Sequence, residues 1–189
     1  DDFGGPSSNM YGLDFDKDIK KSQARMVELL RRARSVPGVK RIFIRSGIRY
    51  DMVTPEYLRE IVQHHTSGKL KIAPEHVNAD VLSLMNKNSG NLDKFVKDFN
   101  KMGCGELVFY FMTGHPGTSM KEAKELADKI KHFKSAEGVQ IFTPTPMTVS
   151  TCMYYTGMDP RTKKKVYVPY TYAEKKEQKR ILDLNIERE

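Results

Sequence analysis

Five short segments of this 189-residue chain combine residue types that grip small polar ligands, and they fall where apolar runs end: Gly4-Gly5-Pro6, Ser46-Gly47, Pro74-Glu75-His76, Gly114-His115-Pro116-Gly117 and Thr143-Pro144-Thr145-Pro146. Glycine lets backbone groups approach a ligand closely, and one carboxylate can accept the hydrogen bonds of a sugar diol. Glu75 is the strongest single candidate, with stabilisation of the next helix's amino end as its plain alternative. His76 and His115 carry imidazoles that titrate near neutrality and could shuttle protons or ligate metal, although a histidine just before a helix is more often a satisfied loop residue. Ser46, Arg49, Tyr50 and Asp51 are candidates for substrate contact.

Other residues have plainer readings. Gly114, Pro116, Gly117 and Thr118 suit a strand-to-helix turn and the cap of the following helix. His64 and His65 fall late in a helix, where the dipole favours them. Lys71 sits inside a strand and would need a carboxylate partner, Glu75 or a neighbouring strand's acid, if it points inward. Cys104 and Cys152 lie far apart and form no paired spacing, so no disulfide framework or all-cysteine metal site is encoded, and no metal ligand is assigned.

The elements that must position these residues follow from periodicity. Met26, Leu29, Leu30 and Ala33 mark a helix that Pro37-Gly38 stops, and Val39 to Arg45 reads as a strand around Ile42-Phe43-Ile44. Thr54-Pro55 caps a helix carrying Tyr57, Leu58, Ile61 and Val62, ended by Gly68. Leu70 to Ala73 is a short strand; helices follow from Asn78 and, after Ser89-Gly90, through Phe95, Val96, Phe99 and Met102. Leu107 to Met112 is the most emphatic strand, a helix opens at Ser119, and Val139 to Phe142 is the last strand. Beyond Tyr155 the pattern fades into a polar tail with a short helix near Ala173 to Leu184.

Apolar strands alternating with amphipathic helices predict right-handed crossovers and a parallel sheet, an α/β class. Polar, glycine and proline residues gather after each strand, which favours a TIM-like (β/α) barrel with one shared rim over an open doubly wound sheet. The expected division is a partial barrel over 1–157 and a polar, basic extension over 158–189.

Bulk properties bound the function. With 39% hydrophobic residues the chain can build a core. No apolar run approaches the roughly 18 residues of a membrane span, and no charged-then-apolar leader is seen, so a soluble cytoplasmic protein is expected. The net charge of +8 would attract polyanions, but the excess is spread along the chain, and the run Arg161 to Lys165 reads as a solvated segment.

In order, the segments resemble the core of radical S-adenosylmethionine (radical SAM) proteins of the YgiQ type. The resemblance runs through Gly4-Gly5-Pro6-Ser7-Ser8-Asn9-Met10-Tyr11-Gly12, Ser46-Gly47-Ile48-Arg49-Tyr50-Asp51, Leu70-Lys71-Ile72-Ala73-Pro74-Glu75-His76, Gly114-His115-Pro116-Gly117-Thr118 and Met153-Tyr154-Tyr155-Thr156-Gly157. It implies a partial radical SAM barrel. It also implies S-adenosylmethionine contacts at Gly4 and Gly5 for the methionine ammonium, Glu75 for the ribose, Thr143, Pro144 and the Gly114 turn near adenine, and Ser46 and His115 as further contacts. It implies a 4Fe-4S cluster that cleaves S-adenosylmethionine to a 5′-deoxyadenosyl radical acting on an unknown small-molecule or macromolecular substrate. The family's C-x3-C-x2-C motif is not in this chain, nor is its cysteine-rich insertion after Tyr11. These residues alone are therefore expected to be inactive and to hold neither cofactor tightly.

The chain opens without an initiator Met, which leads us to expect an engineered or processed piece, or part of a longer protein. A partial barrel would leave strand edges beside Gly4 and after Phe142 that could recruit a second copy. Two other readings compete: a non-catalytic basic module binding RNA through Lys and Arg with Tyr167, Tyr170 and Tyr172 interleaved, and an ordinary barrel enzyme cradling phosphate near Gly114 to Thr118.

Overall fold

The computed structural model describes residues 15–87, 92–103, 105–133 and 136–186. Its elements are α1 (Phe15–Arg34), α2 (Pro55–His64), β1 (Lys69–Glu75), α3 (Ala79–Leu84), α4 (Leu92–Met102), β2 (Glu106–Thr113), α5 (Met120–Ile130), β3 (Ala136–Ile141), α6 (Val149–Thr156) and α7 (Tyr172–Ile186). Several ends are set by caps legible in the chain. Thr54 accepts the Tyr57 N–H, Asn78 accepts from Asp80 and Val81, and Ser119 forms a reciprocal box with Glu122.

The three strands are parallel in the order β1-β2-β3. Ile48 bridges to Ile72 and places a fourth extended segment beyond β1. Neighbours in space are thus neighbours in sequence. Right-handed crossovers in that order put every connecting helix on one side, whereas a doubly wound sheet must reverse its order somewhere. The sheet is an arc of a β/α barrel. Its helix side is the core: Leu70, Ile72, Phe109, Phe111 and Val139 pack with Ile61, Phe99, Leu126 and Ile130. Phe109 stacks on Phe133 at 4.3 Å between ring centroids. No described helix is long and apolar enough to cross a membrane.

Two expectations about elements need correction. Val39 to Arg45 makes no strand ladder: Phe43 is 43% exposed, and the backbone first meets the end of α2, where the Ile44 N–H donates to His65 O at 2.9 Å. Pairing beside β1 begins only at Ile48, whose N–H donates to Lys71 O. An apolar run therefore spends itself on a helix end rather than on a strand partner. The segment after residue 157 is not a mere extension, because α7 packs on α5 and β3 with Leu182 fully buried. Helix α6, capped by Thr148 and ended by Gly157 in the left-handed region, was not foreseen, since its apolar periodicity is weak.

Long-range polar contacts fix α1. The Gln23 amide bonds both Met52 O and the Thr54 N–H. The buried Glu60 carboxylate meets Arg31 at 2.8 Å, Arg34 at 3.2 Å and the His65 Nε2 at 3.4 Å. Burial pushes Glu60 up, and the two arginines, Arg31 first, outweigh it with help from the His65 contact, leaving its carboxyl below the usual range.

Register between β1 and β2 starts at a close backbone approach. Gly105 has φ of +130°, and a Cβ there would lie 2.4 Å from Gly68 O, the acceptor of the Glu106 N–H. Gly105→Ala is expected to lower stability by about 2 kcal/mol through strain and lost pairing. The check is a urea titration in which the midpoint falls while the slope is unchanged.

Candidate functional site

Parallel strands bring their carboxyl ends to one rim. Glu75 pairs in register with Phe111, and Thr113 with Ile141, so Glu75, Gly114 and Thr143 leave three adjacent strands at the same edge. The Phe142 N–H donates to Thr113 O at 2.7 Å, tying the β2 and β3 exits together.

The β1 exit is the most constrained. Glu75 has φ of +64°, a left-handed conformation that costs a non-glycine residue about 1 kcal/mol. Its Oε1 accepts from Lys87 Nζ at 3.2 Å, and the same ammonium donates to Ala73 O at 2.8 Å. Burial lowers the Lys87 pKa, with Glu75 opposing that fall and Arg49 adding to it. Arg49 in turn grips Asp51 through two nitrogens and reaches Asn86 O. One oxygen of this network is left over: Glu75 Oε2 is buried and has no hydrogen-bond partner among the described residues. A buried carboxylate oxygen without a donor is costly, and it is an acceptor aimed where no protein group answers it.

At the β2 exit the glycines are required. Gly114 and Gly117 have φ of +73° and +94°, and a Cβ on Gly117 would fall 2.4 Å from Leu84 Cδ1. His115 is fully engaged within the protein. Its Nδ1 lies 2.7 Å from Pro116 O and its Nε2 2.8 Å from Ser150 Oγ. As placed, neither ring nitrogen is left for a ligand. His76 uses Nδ1 to accept the Asn78 N–H at 3.0 Å, while its buried Nε2 has no described partner.

Burial holds both imidazoles near a pKa of about 4, with His115 beside His76 adding to the effect there. A histidine depressed in the fold is stabilising above its unfolded value of about 6.5, and that contribution is lost as pH falls toward 4. For the two together we expect a loss of roughly 2.5 kcal/mol between pH 7 and pH 5.5. Urea midpoints measured across that interval check it, and a flat profile would refute the assignment.

Thr143 is exposed and Pro144 half-buried at the β3 exit. Ser46 is not at the rim: because Ile48 is level with Ile72, Ser46 lies two residues toward the amino end. The chain continues extended through Ile48 and turns at Tyr50 to Met52, so Arg49 and Asp51 occupy the exit that Ser46-Gly47 was expected to form. Ser46 instead lines a hollow of about 240 Å³ on the open sheet face with Gly47, Lys71, Ala73 and Tyr110. Gly4, Gly5 and Cys104 lie outside the described residues.

Sequence reasoning gave no role to Lys87 or Gln178. Lys87 stands inside the stretch that follows Glu75, but a lysine after a short helix carries no mark of burial. Gln178 Oε1 accepts from the Thr113 hydroxyl at 2.7 Å and the Gly114 N–H at 3.0 Å, and its Nε2 donates to Thr118 O at 2.9 Å. Nothing in the α7 sequence foretells partners some sixty residues upstream. Among the described residues no group of three or more His, Cys, Asp or Glu could hold a metal ion.

Comparison with known proteins adds to this geometry. Residues 137–184 match a family described as Domain of unknown function (DUF3362), a stretch that crosses residue 157 and joins β3 to α7. A UPF0313 protein of Methanosarcina mazei is 41% identical over 95% of the chain and 33% of the relative. One of Clostridium botulinum, strain Loch Maree, is 45% identical over 90% and 28%. The chain thus spans about a third of the length of the curated relatives it matches. Coproporphyrinogen III oxidase (HemN) from Escherichia coli, described as a radical SAM enzyme, superposes with a TM-score of 0.56 at 13% identity, covering 86% of this chain and 35% of that one. Elp3 of Methanocaldococcus infernus gives 0.52 at 15% identity, covering 74% and 31%. At those identities the structural likeness speaks for the fold.

Proposed function

The chain is YgiQ-type sequence, matching UPF0313 proteins over 90 to 95% of its length, and on that premise we propose that it forms part of the barrel of a radical SAM enzyme. In this reading the intact protein binds S-adenosylmethionine and a 4Fe-4S cluster. The observation that carries it is the buried, unanswered Oε2 of Glu75 at the β1 exit, an acceptor suited to a ribose hydroxyl. When bound, the cofactor pair supplies a 5′-deoxyadenosyl radical.

The residues present fit the nucleoside end of that ligand and do not fit the cluster. Cys152 is exposed, and Cys104 stands 48 positions before it in the sequence; a cluster requires several convergent thiolates, so its ligands would come from outside these residues. The chain's own part is positional. Lys87 holds Oε1 of the Glu75 carboxylate and leaves Oε2 without a partner among the described residues, and the Gly114 turn and Thr143 would offer backbone beside the adenine. The edge of β3 would receive a further strand, from the same polypeptide or from a second copy.

Anaerobic reconstitution of the intact protein with iron and sulfide, followed by reduction with S-adenosylmethionine present, tests the reading. It expects iron incorporation and 5′-deoxyadenosine; a protein that takes up no iron and forms none of that product would sink it.

A further inference from the structure

We propose that a ledge of tyrosines and lysines beside the β2 and β3 exits docks an unpaired nucleic-acid strand. Tyr154 anchors the ledge. Its ring lies 6.0 Å from Phe142, the residue just after β3, and its hydroxyl accepts from Lys175 Nζ at 2.8 Å while the same ammonium sits 4.6 Å from the ring centre. Tyr155 and Tyr170 stand edge-on against it at 5.6 and 5.4 Å. These two outer rings are 74% and 55% exposed, rigidly backed and open to stacking. The ledge abuts the rim, because Lys175 Cγ is 3.4 Å from where a Gly114 side chain would begin.

Charge selects the occupant. Residues 157–184 contain eight basic and four acidic side chains, half of the chain's net +8. Each acid is already answered: Asp159 by Arg161, Glu174 by Tyr167, Glu177 by Arg180 and Asp183 by Lys179. Arg161 is also spent on the last carbonyls of α3, Ser83 O and Leu84 O. What remains is Lys176, exposed on α7, and the tip of a hairpin closed by the Met158–Lys165 bridge, where Lys163, Lys164 and Lys165 are exposed. The hairpin springs from Gly157, whose side chain would begin 3.9 Å from the Tyr170 hydroxyl. Exposed π-faces thus adjoin the base of a segment bearing uncommitted ammonium groups, a combination that matches a flexible polyanion carrying flat rings, for which stacking and phosphate contacts act together. An acidic peptide would meet the lysines and leave the rings in water. That the bound strand is also the substrate delivered to the mouth rests on the radical SAM reading; the binding itself does not.

The test is fluorescence anisotropy on the intact protein prepared without iron or S-adenosylmethionine, using a fluorescein-labelled single-stranded RNA of about 15 nucleotides, a site size within reach of one such surface. The same sequence as DNA and as RNA duplex supplies the comparison arms. Binding should weaken steeply with salt, and the substitutions K163E, K164E and K165E together should both weaken it and flatten that dependence. Tyr155→Ala and Tyr170→Ala should each lower affinity about tenfold, with phenylalanine at either position restoring it; both rings are exposed, so circular dichroism should show unchanged folding. Preference for RNA over DNA, or parity between them, supports the proposal and names the strand. No binding, equal binding of duplex and single strand, or indifference to the tyrosine substitutions overturns it. So does resistance of both tyrosines to nitration in the intact protein, which would mean that its other segments cover the ledge. Because the assay needs no cofactor, failure of the radical chemistry and failure of this surface are read separately.

Discussion

Glu75→Gln is expected to weaken binding of S-adenosylhomocysteine to the intact protein by about tenfold or more, a loss of about 1.4 kcal/mol or greater, and to lower its folding stability by about 3 kcal/mol. The two effects have different origins. In the parent, Oε1 takes the Lys87 ammonium at 3.2 Å and Oε2 has no partner among the described residues. An amide can satisfy Lys87 with its one carbonyl oxygen, and the group then standing in place of Oε2 is an NH₂ that cannot accept from a ribose hydroxyl. Stability falls because the ammonium, with 9% of its side chain exposed, loses its anionic partner, and removing one member of a buried pair is costly. Asp51 nearby still opposes that loss, which keeps the figure at the low end of the usual range. Pairing the change with Lys87→Met separates the origins: most of the stability should return, since both charges are gone, while ligand affinity stays low. Isothermal titration and urea denaturation of the single and double variants read the two quantities. Unchanged affinity in Glu75→Gln would remove Glu75 from the site.

The exits of β1, β2 and β3 were legible because their causes are local. Leu107 to Met112 is apolar or aromatic at every position, the composition of a central parallel strand, and the cap residues Thr54, Asn78 and Ser119 announce their helices by type and spacing. Glu75 could be placed at the β1 exit for the same reason, as a carboxylate following an apolar run. What remained hidden depends on contacts distant in sequence. Ile42-Phe43-Ile44 has the composition of a strand, yet only pairing geometry decides the outcome, and there the Ile44 N–H goes to His65 O. Ser46 was placed one turn of chain too early, because the exit lies beyond Ile48, where the bridge to Ile72 ends the pairing. His115 looked available by residue type, but Pro116 O and the Ser150 hydroxyl occupy its ring. Ser150 lies in α6, whose weak periodicity gave no warning.

Gln178→Leu is expected to cost about 4 kcal/mol, because one side chain answers three buried groups and leucine answers none. The Thr113 hydroxyl, the Gly114 N–H and Thr118 O would all lose their partner at once, and each buried polar group left unsatisfied costs about 1 to 3 kcal/mol. The leucine methyl groups fill much of the same space and recover part of that. The consequence reaches function through position: these three groups belong to the β2 exit, the turn that lies between Glu75 and Thr143 on the rim. Loosening them should raise hydrogen exchange at Gly114 and Thr118 before the core strands respond, since local opening follows the weakest cooperative unit. Gln178→Glu offers the sharper comparison. Its carboxylate can still accept from Thr113 and Gly114 but cannot donate to Thr118 O, and it brings a charge into a fully buried position. It should therefore regain stability only as pH falls and the carboxyl protonates, opposite in sign to the histidine effect. If both variants unfold at the parent's urea concentration, α7 does not hold the rim, and its packing on β3 and α5 would have to account for its place in the fold.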